Sequence, residues 1–389
     1  MKLSNHQQNR RRGERGSILA VSAFGMLSFL LATGLCVDIS HFYLVKTELQ
    51  NAADASALAG ASALNSDDGG IQRAVDVAIQ AMNKYEFNKG AVTLSRSDVL
   101  FSRNLNGTYV NESSAKADAA NIRFVKVSIP AVPVTTTFAA PVLGSKRDIT
   151  AEATAGMSVP LNSPCDYIPV MGLDSRQGEP ANYFVPGQTY TVRRAPGTAA
   201  SPGNYQILAI DDPGASDDRW GLGRGVRNCA PAGSLVKTKP GVSSGAVRQG
   251  INTRFGDYAS GLDPSMFPPD ENVQENITYQ QYLDAQQALD DSRSPAPGTY
   301  QQPPRGLTPA RNRRVVLIPI VRVSELDNGR DMVTIDRFAA FFLQTRVDGG
   351  NGGDIKVEYI GKRLVTGRGS YVPGAGPGSP ELTIPVLYK

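Results

Sequence analysis

From Ser17 to Val37 the chain reads SILAVSAFGMLSFLLATGLCV, 21 residues without a charge. As a helix this stretch is roughly 31 Å long, the thickness of a bilayer core. Neither proline nor a helix-ending glycine interrupts the pattern before Asn65-Ser66-Asp67-Asp68-Gly69-Gly70. One helix is therefore expected from Ser17 to about Leu64, running past Asp38, the first charge after the apolar run.

Arg10, Arg11, Arg12 and Arg15 lie just before the apolar run, and the first fifteen residues hold the whole formal net charge of +4. Basic residues beside an apolar span mark its cytoplasmic flank. Residues 1–16 thus read as a disordered basic arm, 17–37 as a transmembrane helix entering from the cytoplasm, and the rest as exported. Because charge beyond residue 15 sums to zero, a nucleic-acid partner is not expected, since such binders carry their excess Lys and Arg on the folded domain. A cleaved signal peptide, cut near Ala32-Thr33-Gly34, is the competing reading, but its apolar region would exceed the usual ~7–15 residues. Cys36 follows Leu35, which is not small, so it reads as an ordinary apolar group rather than a lipidation site.

Residues 71–88 repeat apolar side chains at helical spacing, through Ile71, Val75, Ala78, Ile79 and Met82, and predict a second helix folded back on the first. After Gly90 the period shortens to two, in AVTLS, VLFS, NIRFVKVSI, VPVTTTFA and ITAEATAGM, which are expected strands. Residues 38–159 therefore form a membrane-proximal α+β domain, its long helix packed on a sheet. The prolines near 160–164 mark a junction. Residues 160–389 are expected to be a β-rich distal domain with little helix. Within it, residues 258–314 are rich in Pro, Gln, Asp and Ser, and read as an irregular surface excursion with one short helix at TYQQYLDAQQALDD.

The only histidines are His6 and His41. Histidine-based nucleophilic triads and zinc sites are thereby excluded from the bulk of the chain. No catalytic, cofactor-binding or metal-ligating residue is identified. Asp211-Asp212 and Asp217-Asp218 sit among Gly, Pro and Ser and read as solvated turn residues. GGNGGDIKV (349–357) is expected to be a hairpin turn. GLGRG (221–225) reads as a loop beside Trp220, because no strand and helix flank it to hold a phosphate. Cys165 and Cys229 are the two cysteines of the exported part. They are candidates for a disulfide in an oxidising compartment, although spacing alone does not bring their Cα atoms together.

The apolar span and the helix beyond it carry a resemblance. Gly16, the single span, Asp38, Tyr43 and the string Leu49-Gln50-Asn51-Ala52-Ala53-Asp54-Ala55-Ser56-Ala57-Leu58-Ala59-Gly60-Ala61 closely resemble the N-terminal module of the TadE/TadG-like Flp (tight adherence) pilus-assembly proteins. The resemblance implies a single-pass bacterial inner-membrane protein with its bulk in the periplasm. Its implied partners are other pilus-assembly or pilin-like proteins, met through protein contacts and without catalysis. Two family patterns are missing: Asp38-Ile39-Ser40-His41-Phe42 fails the metal motif of a von Willebrand A domain, and Gly13 and Gly16 have Ile18 and Val21 five residues on, where a processed prepilin has glutamate. Ala53, Ala57 and Ala61 recur every four residues and make one helix face smooth enough for close packing, within the first domain or with a related subunit in an oligomer. A surface-exposed adhesin or minor pilin-like subunit is the alternative function. A carboxylate-only enzyme is a third class, whose structural sign would be a cleft where two carboxylates converge.

Overall fold

The computed structural model describes residues 10–82, 86–87, 90–140, 144–174, 184–193, 204–210, 215–240, 243–259, 261–322, 332–348, 353–365, 368–376, 378–379 and 381–388. Helix α1 spans Arg10–Ser62, 53 residues or about 80 Å. It begins earlier than expected: the four arginines belong to the helix rather than to a disordered arm. It ends where Ala63 and Leu64 turn their amides back to Gly60 and Ala61. The Asn65 side chain then accepts the Asp67 amide, and α2 (Asp68–Met82) runs back along α1. The second helix is described as far as Met82 and does not reach 88 as expected, because Glu86–Phe87 pairs antiparallel with Gly90–Ala91.

Helix α1, with α2 packed against it, lies on an antiparallel sheet built from β1 (Val99–Ser102), β2 (Phe124–Thr135) and β3 (Lys146–Met157). A short α3 (Glu112–Lys116) lies between β1 and β2 in the chain. β2 is one long strand where the sequence suggested two. It tolerates Pro130 and Pro133 because β1 pairs only with residues 124–127, which leaves the later part of that edge free of a ladder. Ala151, Ala153, Ala155 and Met157 alternate onto the buried face of β3. They meet Ala53, Ala57 and Ala61 of α1, all fully buried in the same core, so small residues on both elements set a close helix-to-sheet approach. Gly60 sits at one close point: a Cβ there would lie 3.1 Å from Val125 and 3.2 Å from the Ala74 carbonyl. The face available in principle for an oligomer through the Ala-rich helix is therefore already filled by the protein's own sheet and α2.

The second part of the chain contains β4 (Gly172–Asp174), β5 (Thr189–Arg193), β6 (Asn204–Ala209), β7 (Leu235–Pro240), β8 (Val315–Arg322), β9 (Met332–Thr334), β10 (Arg337–Leu343) and β11 (Ile355–Tyr359). Five strands form a sheet in the order β4-β8-β10-β11-β5, and three form another in the order β9-β7-β6. The near-continuous apolar runs VVLIPIV and FAAFFL are buried on both sides, which requires cover on both sides. Helices supply it. Leu222 of α4 (Ala215–Arg224) and Val247 and Ile251 of α5 (Ser244–Asn252) share a core with Val316, Ile318 and Phe341. Tyr279 and Tyr282 of α6 (Tyr279–Asp290) share the other with Leu317, Ala340 and Phe342. The distal part is accordingly mixed α/β.

The structure corrects several expectations. GLGRG and Asp217-Asp218 fall mostly in α4 rather than in loops, and buried Asp218 pairs with Lys239. Asp211-Asp212 and the glycines 349–352 lie outside the described residues, although β10 and β11 do pair antiparallel. The excursion 258–314 lies only partly on the surface: Phe267, Asp270, Asn272, Val273 and Ile277 in its first half and Arg314 at its end are buried, while residues 291–313 are mostly exposed or half-buried. The chain also returns to its beginning: β12 (Pro385–Leu387) pairs with β3, so three residues from the segment assigned to the distal domain close the edge of the first sheet.

Candidate functional site

Among the described residues, polar groups come together at the end of the apolar run and in a cleft between the two parts of the fold, as well as inside the distal part. At the first, Asp38 is the next residue of α1 after the uncharged stretch, and its side chain is buried. It faces the turn that joins β2 to β3. The carboxylate accepts the backbone amides of Thr137 (3.1 and 3.2 Å), Phe138 (2.9 Å) and Ala139 (2.6 Å). These bonds, that from Ala139 foremost, hold its pKa below the ordinary carboxylate value. One turn earlier Gly34 lies against Phe138, so close that a Cβ at Gly34 would come within 2.5 Å of the Phe138 Cβ. The 12-residue arms of the hairpin thus reach along α1 as far as the apolar run itself.

Above this latch the string identified in the sequence divides by face. Leu49, Ala53 and Ala57 are buried and Leu58 packs at the margin of the core. Gln50 donates its amide to the Glu152 carbonyl of β3 at 2.9 Å and to Asp54 at 2.8 Å, while Lys46 reaches the Thr150 carbonyl. Asn51 is exposed, Tyr43 is 72% exposed, and Ala59 is half-buried. Gly16 and Arg10, Arg11, Arg12 and Arg15 lie in the first turns of α1. Reading the sequence does not single out Phe138 or Gly34. A usable signal is present, because no charge falls between Lys126 and Lys146, which is unusual for a hairpin expected to meet water.

The second region is a cleft of about 870 Å³ where α2 faces α6. Asp290 accepts from Arg73 at 3.0 Å and from Arg311 at 2.7 Å. Asp291 accepts from Gln72 and Gln287, and Lys362 pairs with Asp67 at 2.6 Å. Burial nevertheless keeps the Asp290 pKa above its ordinary value. Carboxylates do converge here, but each of these three is tied to a cation or amide that joins one part of the fold to the other. Asp68, hydrogen-bonded to Asp67, has its pKa raised by that contact. Nearby, Cys165 and Cys229 are bonded as a disulfide with Cα atoms 4.1 Å apart. Among the described residues no three His, Cys, Asp or Glu side chains gather as a metal-binding group.

Among the described residues one helix is long and apolar enough to cross a membrane, and its next turns are locked to a body of helices and strands, which defines a class of membrane-competent proteins. Within that class, residues 16–63 match the Tad family model, TadE/G-like Flp pilus-assembly. The matched segment runs from the first turns of α1 to the turn that ends it, and so includes both the apolar run and the face that packs on the sheet. The family is described as one of Flp pilus assembly, and the match covers this N-terminal segment of the chain. No curated protein and no solved structure matches the chain.

Proposed function

We propose that the chain is a single-pass anchor of Flp/Tad-type pilus assembly, held in the bacterial inner membrane with its bulk in the periplasm, and acting through protein contacts without catalysis. The observation that carries this reading is the change of environment along one unbroken helix. Ile18, Leu19, Val21, Phe24, Met26 and Phe29 are each at least 68% exposed, all around the helix, whereas from Val45 onward one face is buried in the domain. An apolar cylinder of that length has no aqueous explanation. The arginines at its start favour a cytoplasmic N-terminus, and the Cys165–Cys229 bond suits an oxidising compartment on the other side. The cross-links that line the cleft support a structural role for its carboxylates.

Protease protection in cells tests the topology. Full-length chain in the membrane fraction, protected in intact cells and digested to a short N-terminal remnant after outer-membrane permeabilisation, is the expected result. Digestion of the distal part in intact cells would instead place the protein at the surface, as an adhesin or minor pilin-like subunit.

A further inference from the structure

We propose that the turn between β2 and β3 is a second membrane contact, with Phe138 seated in the outer part of the same lipid leaflet through which α1 emerges. The inference rests on the proposed spanning role of α1 and adds a lipid-facing site on the folded domain.

Three observations carry it. Phe138 touches Gly34, which lies inside the uncharged run, one turn or about 6 Å below Asp38. If Asp38 marks the bilayer exit, a side chain in contact with Gly34 is already at acyl-chain level. Phe138 is also 54% exposed and continues the apolar belt formed by Leu31, Leu35 and Val37, which are 51%, 41% and 56% exposed. Finally, five backbone donors among the described residues of the turn, at 136–139 and 144, have their hydrogen bonds made within the protein. Thr137, Phe138 and Ala139 donate to Asp38, Thr136 donates to Ser145, and Gly144 donates to Ala140. A polypeptide turn enters the edge of a bilayer only when its donors need no water, and Asp38 supplies the acceptor for three of them. Lys146 and Arg147 come next in the chain, both exposed, where their long side chains reach the phosphates of the headgroup layer. Helix and turn together give the domain two points of attachment, which fixes its tilt over the membrane where one flexible linker would leave it free.

The test uses full-length protein reconstituted in phosphatidylcholine vesicles whose acyl chains carry bromine at shallow or deep positions. The native tryptophan, Trp220, is removed by Trp220→Phe, and a single reporter is placed by Phe138→Trp or, as a control for the span, Leu27→Trp. Shallow bromine is expected to quench the Phe138→Trp emission by roughly half, with little effect from deep bromine, as for interfacial aromatic residues. Leu27→Trp is expected to show the reverse depth preference. Adding phosphatidylglycerol is expected to strengthen the shallow quenching, and Lys146→Glu with Arg147→Glu to remove that gain. If Leu27→Trp is quenched while Phe138→Trp stays insensitive, the turn does not meet lipid and this inference falls while the span stands. If neither is quenched, both fall. Quenching of Phe138→Trp that is indifferent to phosphatidylglycerol would overturn the role of the two basic residues.

Discussion

The carboxylate of Asp38 receives the amide of Ala139 at 2.6 Å, across 101 residues of sequence. This bond and its two neighbours close the turn of a long hairpin onto the helix at the last point before the apolar run. Removing the acceptor leaves three backbone donors without a partner, and an orphaned donor away from water costs more than the bond it replaces. Asp38→Ala is therefore expected to release the end of the hairpin while the rest of the domain stays folded, because Ala53, Ala57 and Ala61 hold the helix independently. Limited proteolysis of reconstituted protein should show cleavage within residues 136–145 rising roughly ten-fold, as for a region that opens locally. An unchanged cleavage rate would show that Phe138 and Gly34 alone secure the turn.

The family string is expected to separate into residues that fold the protein and residues that do not. Ala57 is fully buried between the helix and the sheet, so Ala57→Leu forces extra methylenes into a filled space and should cost about 1–3 kcal/mol. Tyr43 is 72% exposed, and Tyr43→Ala should leave the melting temperature unchanged. If Tyr43→Ala nevertheless abolishes pilus assembly in cells, the exposed face of α1 just beyond Asp38 is where a partner binds. Full assembly with this variant would move the partner surface elsewhere.

Glu112 provides a pH-dependent contact in the first domain. Arg96 grips both of its oxygens at 2.8 Å, a forked pairing that is stronger than a single contact. Arg96 foremost, helped by Lys116, holds the Glu112 pKa below its ordinary 4.5. The ionised pair thus contributes stability above pH 4.5 and loses it as the pH falls through the lower folded value. Since Arg96 is half exposed, the contribution at neutral pH is set at about 0.2–1 kcal/mol. Thermal melts of Glu112→Gln and the parent protein should differ at neutral pH and converge in acid. A difference that grows in acid would contradict the assignment.

The Cys165–Cys229 bond closes a 64-residue separation and ties the segment after the first sheet to the residues that follow α4. Restricting the unfolded chain over such a loop contributes about 2–4 kcal/mol. Cys165→Ser with Cys229→Ser, or reduction of the parent protein, should lower the melting temperature by the same amount. An effect of reduction that persists in the double variant would have to act elsewhere.

The parts of the fold legible in the sequence are those written as periodic patterns. The apolar run, the i,i+4 alanines at 53, 57 and 61, and the alternation through Ala151, Ala153 and Ala155 each fix an element and its inward face. Illegible were the features that depend on partners distant in the chain. Asp38 reads as a boundary marker in the sequence, yet its role depends on amides 99 to 101 residues away. The return of Pro385–Leu387 to the first sheet has no local signal. The excursion 258–314 misleads because its composition is polar, and composition does not distinguish a solvated loop from one whose polar groups are buried and satisfied.

That buried polar centre gives the most demanding prediction. Arg314 is fully buried, and its guanidinium donates to the carbonyls of Leu343, Asn272, Gln274 and Gln344 while lying 4.4 Å from the Phe342 ring centroid. Its backbone amide meets Asp270, which also accepts from the Tyr282 hydroxyl at 3.0 Å. Burial lowers the Arg314 pKa to about 10 and raises that of Asp270, so both are held as they are by hydrogen bonds that a different shape would not reproduce. A lysine keeps the charge but cannot fan out to four carbonyls or lie flat on the ring. Arg314→Lys should therefore destabilise the distal part by about 3–5 kcal/mol, the range for breaking a buried charged centre. Hydrogen exchange should localise the effect to residues 270–290 and the end of β10, with α1 and its sheet unaffected. A loss spread evenly over both parts would mean that the cross-links in the cleft make them one cooperative unit.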